Sequence, residues 1–391
     1  MDHASRLAAP IVIVHVLNFR NLYGSGITES VPALCRAQAD LGRSVTLAVN
    51  CARDEWRDNT FELLEVSTPK AFQKLGFCPG LHRELCSIAP RADVFHAHDL
   101  WTMSCSYAFS AAKSAGKPFV VSPRGTLSAE ALKIKPVRKA IVWQLSRRQL
   151  LASADCVHVT SRSEYQDVRN RGVRVPVALL PNGIDIPQWN PDWQSKQSNK
   201  KKTLLYFGRI HPIKGLVNLI EAWSRLQARH PDWRLRICGV DDGGHRSELE
   251  SLVESRDIKN VVFEGPVFGD DRFRVYTDSD LYVLPSFSEN FGNTVGEALI
   301  CGCPAIATTR TPWSELAEVG CGWTCRPDVD GLSEVLSEAF GCSPEKLAEM
   351  GKRGRTWIMQ TFSWKMIAQK LLETYAWLQG ETERPDHVIM D

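Results

Sequence analysis

The sequence offers no long apolar run near its start: residues 1–10 are polar, and the run over 11–17 is seven residues long, against about 20 for a spanning helix. Neither a signal peptide nor a membrane span is expected. Charge of one sign is not in excess either, since 47 Lys and Arg against 45 Asp and Glu leave a net charge of +2. That balance singles out no polyanionic partner, and nucleic acid is not expected to be one. The 12 cysteines are scattered and mostly single, which does not fit a secreted disulfide scaffold and makes a reducing cytosol the default. The closest pairs, Cys301-Gly-Cys303 and Cys321-Gly-Trp-Thr-Cys325, lack partner histidines at zinc spacing, so no metal is expected.

What is present is an ordinary globular composition, 43% hydrophobic and 24% charged over 391 residues, long enough for two domains of roughly 180 residues. Short apolar runs at 11–17, 44–49, 93–96, 118–121, 156–160 and 177–180 are separated by helix-length stretches. A second such series runs through 203–207, 233–238, 261–263, 281–284 and 305–307. The alternation predicts two α/β domains, each a parallel sheet covered by helices, with ligands gathered at the strands' carboxyl ends. Residues 187–202 are polar and aperiodic and read as the linker between an N-terminal domain, 1–186, and a C-terminal one, 203–360. A last helix is expected over 361–380, with a frayed polar tail beyond Gly380.

The chain is organised around Ser286-Phe-Ser-Glu-Asn-Phe-Gly-Asn-Thr-Val-Gly-Glu297. Residues 281–284 read as a buried strand, 285–292 as a loop, and Asn293 or Thr294 as the cap of a helix entering with Val295. Gly292 lets backbone approach a ligand, and the first helical turn offers unpaired N–H groups to phosphate. A carboxylate there is repelled by phosphate and better placed on sugar hydroxyls, which suits Glu289 and Glu297. Gly208-Arg209 and Lys214-Gly215 close the strand over 203–207, and two cations on one loop can neutralise a diphosphate. Gly24-Ser-Gly26 follows the first strand as an anion cradle or a plain turn. His98 and Asp99 end another strand and Arg124 a third; His96 and His98 share one face of their strand, but no third metal ligand is evident. Asp278-Ser-Asp280 has metal-motif spacing but leads straight into a buried strand. Residues 133–151 set Lys133, Lys135, Arg138, Lys139, Arg147 and Arg148 among Ile134, Ile141, Trp143 and Leu145. That suits either a domain-surface helix with its apolar face on the sheet or a helix resting on anionic lipid.

On these residues the chain resembles the family 4 retaining glycosyltransferases of the GT-B fold, through the paired glutamates Glu289 and Glu297, the Gly-Arg and Lys-Gly loop, and the motifs from 11 to about 378 in their order. Ser122-Pro-Arg-Gly-Thr-Leu127 and Pro181-Asn-Gly-Ile-Asp185 resemble a bacterial branch that builds surface polysaccharides. The resemblance implies two Rossmann-like domains facing a cleft, with the last helix crossing back to the first. It implies a nucleoside-diphosphate-sugar donor as substrate, no cofactor, and a glycan or lipid-linked acceptor, with contact at the inner-membrane surface from the cytoplasmic side. Arg209 and Lys214 take the diphosphate, Glu297 the ribose, and Glu289 the transferred sugar, with His98 approaching that sugar. Phe291, Gly292, Asn293, Thr294, Gly24, Gly26, Gly265 and Val267 complete the donor site; Arg124 and Asp99 lie on the acceptor side. A nucleotide-sugar epimerase or a phosphorylase of the same fold, or a non-catalytic scaffold, stays open. Product without acceptor, dependence on inorganic phosphate, or binding without turnover distinguishes each.

Overall fold

A computed structural model describes residues 11–18, 26–52, 54–57, 59–67, 72, 77–187 and 201–390. The chain divides into two compact units, residues 1–183 with 364–391, and residues 184–363. The expected linker falls, from 188 to 200, outside the described residues. The second unit opens before it, because the Ile184 N–H already donates to the Phe362 carbonyl at 2.7 Å.

In the first unit, strands β1 (Val12–Leu17), β2 (Ser44–Val49), β3 (Glu62–Glu65), β4 (Val94–His98), β5 (Phe119–Ser122), β6 (Cys156–Val159) and β7 (Val177–Leu179) are all parallel. The second unit holds β8 (Lys202–Phe207), β9 (Trp233–Cys238), β10 (Val261–Glu264), β11 (Leu281–Leu284), β12 (Ala305–Thr308) and β13 (Gly322–Cys325), parallel in the order β10-β9-β8-β11-β12-β13. The last strand, β14 (Val388–Ile389), returns to the first sheet and pairs antiparallel with β7, giving the order β14-β7-β6-β5-β4-β1-β2-β3. That strand corrects the expectation of a frayed tail: Val388 is buried where it meets Ala178. Gly322–Cys325, which the second series of apolar runs does not include, is an edge strand.

Both central sheets are buried on their two faces, so their strands read as continuous apolar runs rather than alternating ones. In the first unit, one face carries Val14, Val16, Phe95, Ala97, Phe119 and Val121. The other carries Ile13, Val94, Val120 and Cys156, packed with residues of the helices Gly26–Asp40 and Trp364–Leu378. The C-terminal helix therefore belongs to the first unit, with Tyr375 fully buried.

One device recurs where strands begin. Asp93, just before β4, accepts the Val12 N–H of β1 at 2.8 Å; Asp155, before β6, accepts the Phe119 N–H of β5 at 2.8 Å; and Asp280, before β11, accepts the Thr203 N–H of β8 at 2.8 Å. Each carboxylate satisfies a strand-start donor that the ladder leaves over. For Asp280 this settles the Asp-x-Asp question in favour of a structural role for that carboxylate.

Candidate functional site

In the second unit, the carboxyl ends of β8 and β11 feed two loops that are stitched together. The Phe287 N–H donates to the Ile213 carbonyl at 2.9 Å. At Gly215, with φ +70°, a Cβ would lie 2.2 Å from the Pro285 carbonyl oxygen, so only glycine allows this approach. The stitching brings Lys214 Nζ to Glu289 Oε1 at 2.6 Å, with the two side chains only 15% and 11% exposed. Ser286 Oγ donates to the same carboxylate oxygen at 2.7 Å. Two residues expected to hold different parts of a donor are thus partners of one another. The ammonium has two further donors, and Glu289 Oε2 is left to accept elsewhere.

Arg209 reaches the other way, to Asp242 at 2.7 Å, on the turn after β9. The β8 and β9 turns lie back to back: Gly208 N–H donates to the Cys238 carbonyl at 3.0 Å, and a Cβ on Gly239 would sit 1.8 Å from the Gly208 oxygen. The two aspartates of the 239–244 turn have distinct tasks, since Asp241 accepts the Arg246 N–H at 3.0 Å.

The helix after the glutamate loop is Asn293–Ile300, and its N-cap is Gly292 in the left-handed region, φ +80°, without a side-chain capping bond. This corrects the assignment of the cap to Asn293 or Thr294, which are the first two helical residues. Thr294 Oγ1 instead accepts from the buried Tyr282 hydroxyl at 2.6 Å. Phe291 is a second correction, because its ring is core, against Trp313 and Phe362 at centroid distances of 5.1 and 5.9 Å, and its carbonyl accepts from Trp313 Nε1 at 2.6 Å. Val267 is half-buried against the same core. The Gly265 carbonyl accepts from Cys238 Sγ at 3.0 Å.

Glu297 lies one turn inside that helix and has two partners the sequence did not suggest. Tyr276 donates its hydroxyl to Oε2 at 2.8 Å, and Arg272 donates Nε to Oε1 at 3.2 Å while Nη2 holds Asp185 at 2.7 Å. Burial works against the charge on Arg272 and is outweighed by Glu297 and Asp185, which raise its pKa. Burial, then Glu297, holds the Tyr276 phenol well above its usual range, so it stays a donor. Each oxygen of Glu297 keeps an acceptor site for a hydroxyl.

In the first unit, Gly26 is the first residue of the helix Gly26–Asp40, and Gly24 lies outside the described residues. Asp99 accepts the Trp101 N–H at 3.0 Å. His98 corrects an expectation: its ring is fully buried and both nitrogens are engaged, so it does not present itself to a sugar. It belongs to a network of four histidines on β1, β4 and β6, whose protons are set by the ends. His158 Nε2 faces the Leu180 carbonyl at 3.0 Å and must donate; its Nδ1 then accepts from Ser122 Oγ at 2.8 Å. Ser122 in turn accepts from His96 Nε2 at 2.7 Å, and His96 Nδ1 from the Tyr375 hydroxyl at 2.6 Å. In the second branch Arg124 Nη2 donates to His98 Nδ1 at 3.0 Å, His98 Nε2 to His15 Nδ1 at 2.8 Å, and His15 Nε2 to Gln38 Oε1 at 2.7 Å. Arg124 also donates to Asn182 Oδ1 at 2.6 Å, from a strained backbone of φ +56°.

Among the described residues, His15, His96 and His98 bring three potential ligand atoms within 4.8 Å of one another. His15 is the third histidine that sequence reading lacked. All six ring nitrogens are nevertheless committed to hydrogen bonds, and the Arg124 guanidinium stands beside them. A cation would have to displace that network, so the cluster does not fit a metal. Burial lowers all four imidazoles, His15 to about 4 and His158 to about 3, and it pulls Arg124 down to about 10. At neutral pH the histidines are neutral and the arginine is charged.

Residues 25–183 match the family described as "Glycosyl transferase 4-like domain", and residues 187–357 the one described as "Glycosyl transferases group 1". Residues 187–357 thus carry a domain of the group 1 glycosyltransferase family, and residues 25–183 a domain of the 4-like family. Among the relatives of this chain, a GDP-mannose-dependent monoacylated alpha-(1-6)-phosphatidylinositol monomannoside mannosyltransferase of Corynebacterium glutamicum is 29% identical over 209 residues, 49% of this chain and 54% of that protein. A D-inositol 3-phosphate glycosyltransferase of Arthrobacter sp. is 30% identical over 213 residues, 51% of this chain and 49% of that one. The chain spans about half the length of these curated relatives. Sucrose-phosphate synthase from Thermosynechococcus elongatus superimposes with a TM-score of 0.74 at 21% identity, covering 95% of this chain and 100% of that one. Anabaena HepE in complex with UDP and glucose gives 0.73 at 20%, covering 93% and 99%. These likenesses establish the GT-B fold.

Proposed function

We propose that this glycosyltransferase moves a sugar from a nucleoside-diphosphate sugar to a hydroxyl of a lipid-linked glycan, with retention of configuration, in surface-polysaccharide assembly at the cytoplasmic face of the membrane. The observation that carries the donor half is the Lys214–Glu289 pair, held by two stitched loops next to the Gly292 helix start. As the diphosphate leaves, its charge develops where Lys214 and the helix N–H groups stabilise it, while Glu289 Oε2 orients sugar hydroxyls. Arg209, exchanging Asp242 for phosphate, adds a second cation. Glu297, held by Arg272 and Tyr276, accepts from the ribose. His98, buried, acts by holding Arg124 rather than by touching the sugar. The leaving phosphate takes the acceptor proton on the same face, so no protein nucleophile is required. The acceptor half draws on the resemblance of the 122–127 and 181–185 segments, and on a relative whose name includes a phosphatidylinositol mannoside.

The test is a donor screen with UDP-, GDP- and ADP-sugars, following nucleoside diphosphate release with and without a lipid-linked acceptor fraction, and Lys214→Ala as control. Release from one donor that vanishes in the control supports the reading. No release from any donor, with no donor raising the melting temperature, overturns it.

A further inference from the structure

The segment from Pro136 to Ala152 is a helix with two apolar sides. It runs as Pro136–Val142, a π-helical turn Trp143–Arg147, and Arg148–Ala152. Its inner side is fastened to the first unit: Trp143, Leu150 and Leu151 are buried, and Arg147 donates to Ser106 Oγ at 2.6 Å and to the Thr102 carbonyl at 3.1 Å. Its outer side is the unexpected one. Val137, Ile141 and Leu145 follow one another at four-residue spacing, a single stripe of a helix, and are 72%, 54% and 78% exposed; Ile134, on the turn before, is 63% exposed. The alternative in which the apolar side chains of this segment pack on the sheet therefore holds for Trp143, Leu150 and Leu151 alone.

Along the helix itself the charge has one sign; the acidic residue just before it, Glu130, pairs with Lys133 at 2.6 Å. Between Ala131 and Ala154 stand six cations and no acidic residue, and of these Lys133, Lys135, Arg138 and Arg148 are exposed. An exposed apolar stripe of this kind is stable in water only at a cost, and it calls for a cover. A second copy of the chain is disfavoured as that cover, because a symmetric contact would press the two cationic rims together. The cover has to be apolar at its centre and anionic at its rim over an extended surface. We propose that this face docks on an anionic phospholipid bilayer, with Ile134, Val137, Ile141 and Leu145 in the headgroup boundary and Lys135, Arg138 and Arg148 on lipid phosphates. That this contact serves catalysis rests on the functional reading above; the surface itself stands on exposure and charge.

The test is co-sedimentation of the full chain with vesicles of phosphatidylcholine alone and of phosphatidylcholine with about one part in three of phosphatidylglycerol. Wild type binds the anionic vesicles at least about tenfold more tightly, and added salt weakens the binding. The triple variants Val137→Ser/Ile141→Ser/Leu145→Ser and Lys135→Glu/Arg138→Glu/Arg148→Glu each lose about tenfold, with unchanged melting curves because every altered side chain is exposed. Equal binding to neutral and anionic vesicles, serine variants that bind like wild type, or a wild-type dimer that the serine changes dissociate would each overturn the proposal. Vesicle binding is read without turnover, so failure here leaves the donor assignment standing, and a failed donor screen leaves this surface standing.

Discussion

His98 Nε2 lies 2.8 Å from Nδ1 of His15, a residue 83 positions away in the chain, and the contact leaves both imidazoles neutral inside a closed network. The histidines have lowered folded-state pKa values, so below about pH 6.5 the unfolded chain binds more protons than the folded one. The stability they contribute is fully present above that pH. It is lost as pH falls through the window from about 6.5 down to the folded values of about 4 for His15 and about 3 for His158. Each histidine contributes about 1.4 kcal/mol per pH unit in that window. Melting temperatures at pH 7.5, 6 and 5 should therefore decline steeply at the acid end, and a flat profile over this range would show that the network is not closed.

Lys214 and Glu289 should separate into a folding effect and a catalytic one. Lys214→Ala leaves a poorly exposed carboxylate without its cation and should lower both the melting temperature and turnover, the latter by about 10²-fold or more. Adding Glu289→Gln removes the stranded charge, so the double variant should regain stability without regaining activity. Recovery of both together would place the pair outside the chemistry.

Arg272 and Tyr276 are predicted to act through Glu297. Tyr276→Phe keeps the ring packing and removes one hydrogen bond, so it should weaken nucleoside diphosphate binding several-fold. Arg272→Ala strips two carboxylates of their shared cation and should cost more, about 2 kcal/mol or above. Calorimetric titration with the diphosphate of the active donor checks both, and an affinity unchanged in Arg272→Ala would sink the ribose assignment for Glu297.

Removing residues 381–391 should lower the melting temperature by several degrees and promote aggregation, because β7 would lose β14 and expose a bare edge. Light scattering during thermal unfolding reads this directly. A truncated chain that melts and scatters like the full one would mean that Val388 contributes nothing there.

The central strands of both sheets were legible because burial on two faces makes them uninterrupted apolar runs. Three of the four outermost strands were not, since Glu62–Glu65 and Gly322–Cys325 carry charge or glycine and Val388–Ile389 is two residues long. Glu289, Glu297, Arg209 and Lys214 stand out in the sequence as charged residues after strand ends, but their partners do not. Asp242, Arg272 and Tyr276 come from other turns and helices, and sequence spacing carries no trace of a contact closed by folding. Phe291 was misread because a core aromatic beside a loop glycine looks the same as a ligand-facing one. The stripe at Val137, Ile141 and Leu145 was hidden by its own helix, whose buried side supplies Trp143, Leu150 and Leu151 within the same window.

The three strand-start aspartates bear on how such a chain tolerates change. Asp93, Asp155 and Asp280 fix where neighbouring strands begin, so every difference in strand or loop length is expressed at the opposite edge of the sheet. Insertions after Phe207 or Leu284 can then reshape the loop that follows without shifting the register beneath it. One edge works as a fixed datum and the other as a free margin, which lets loops vary on an unaltered scaffold.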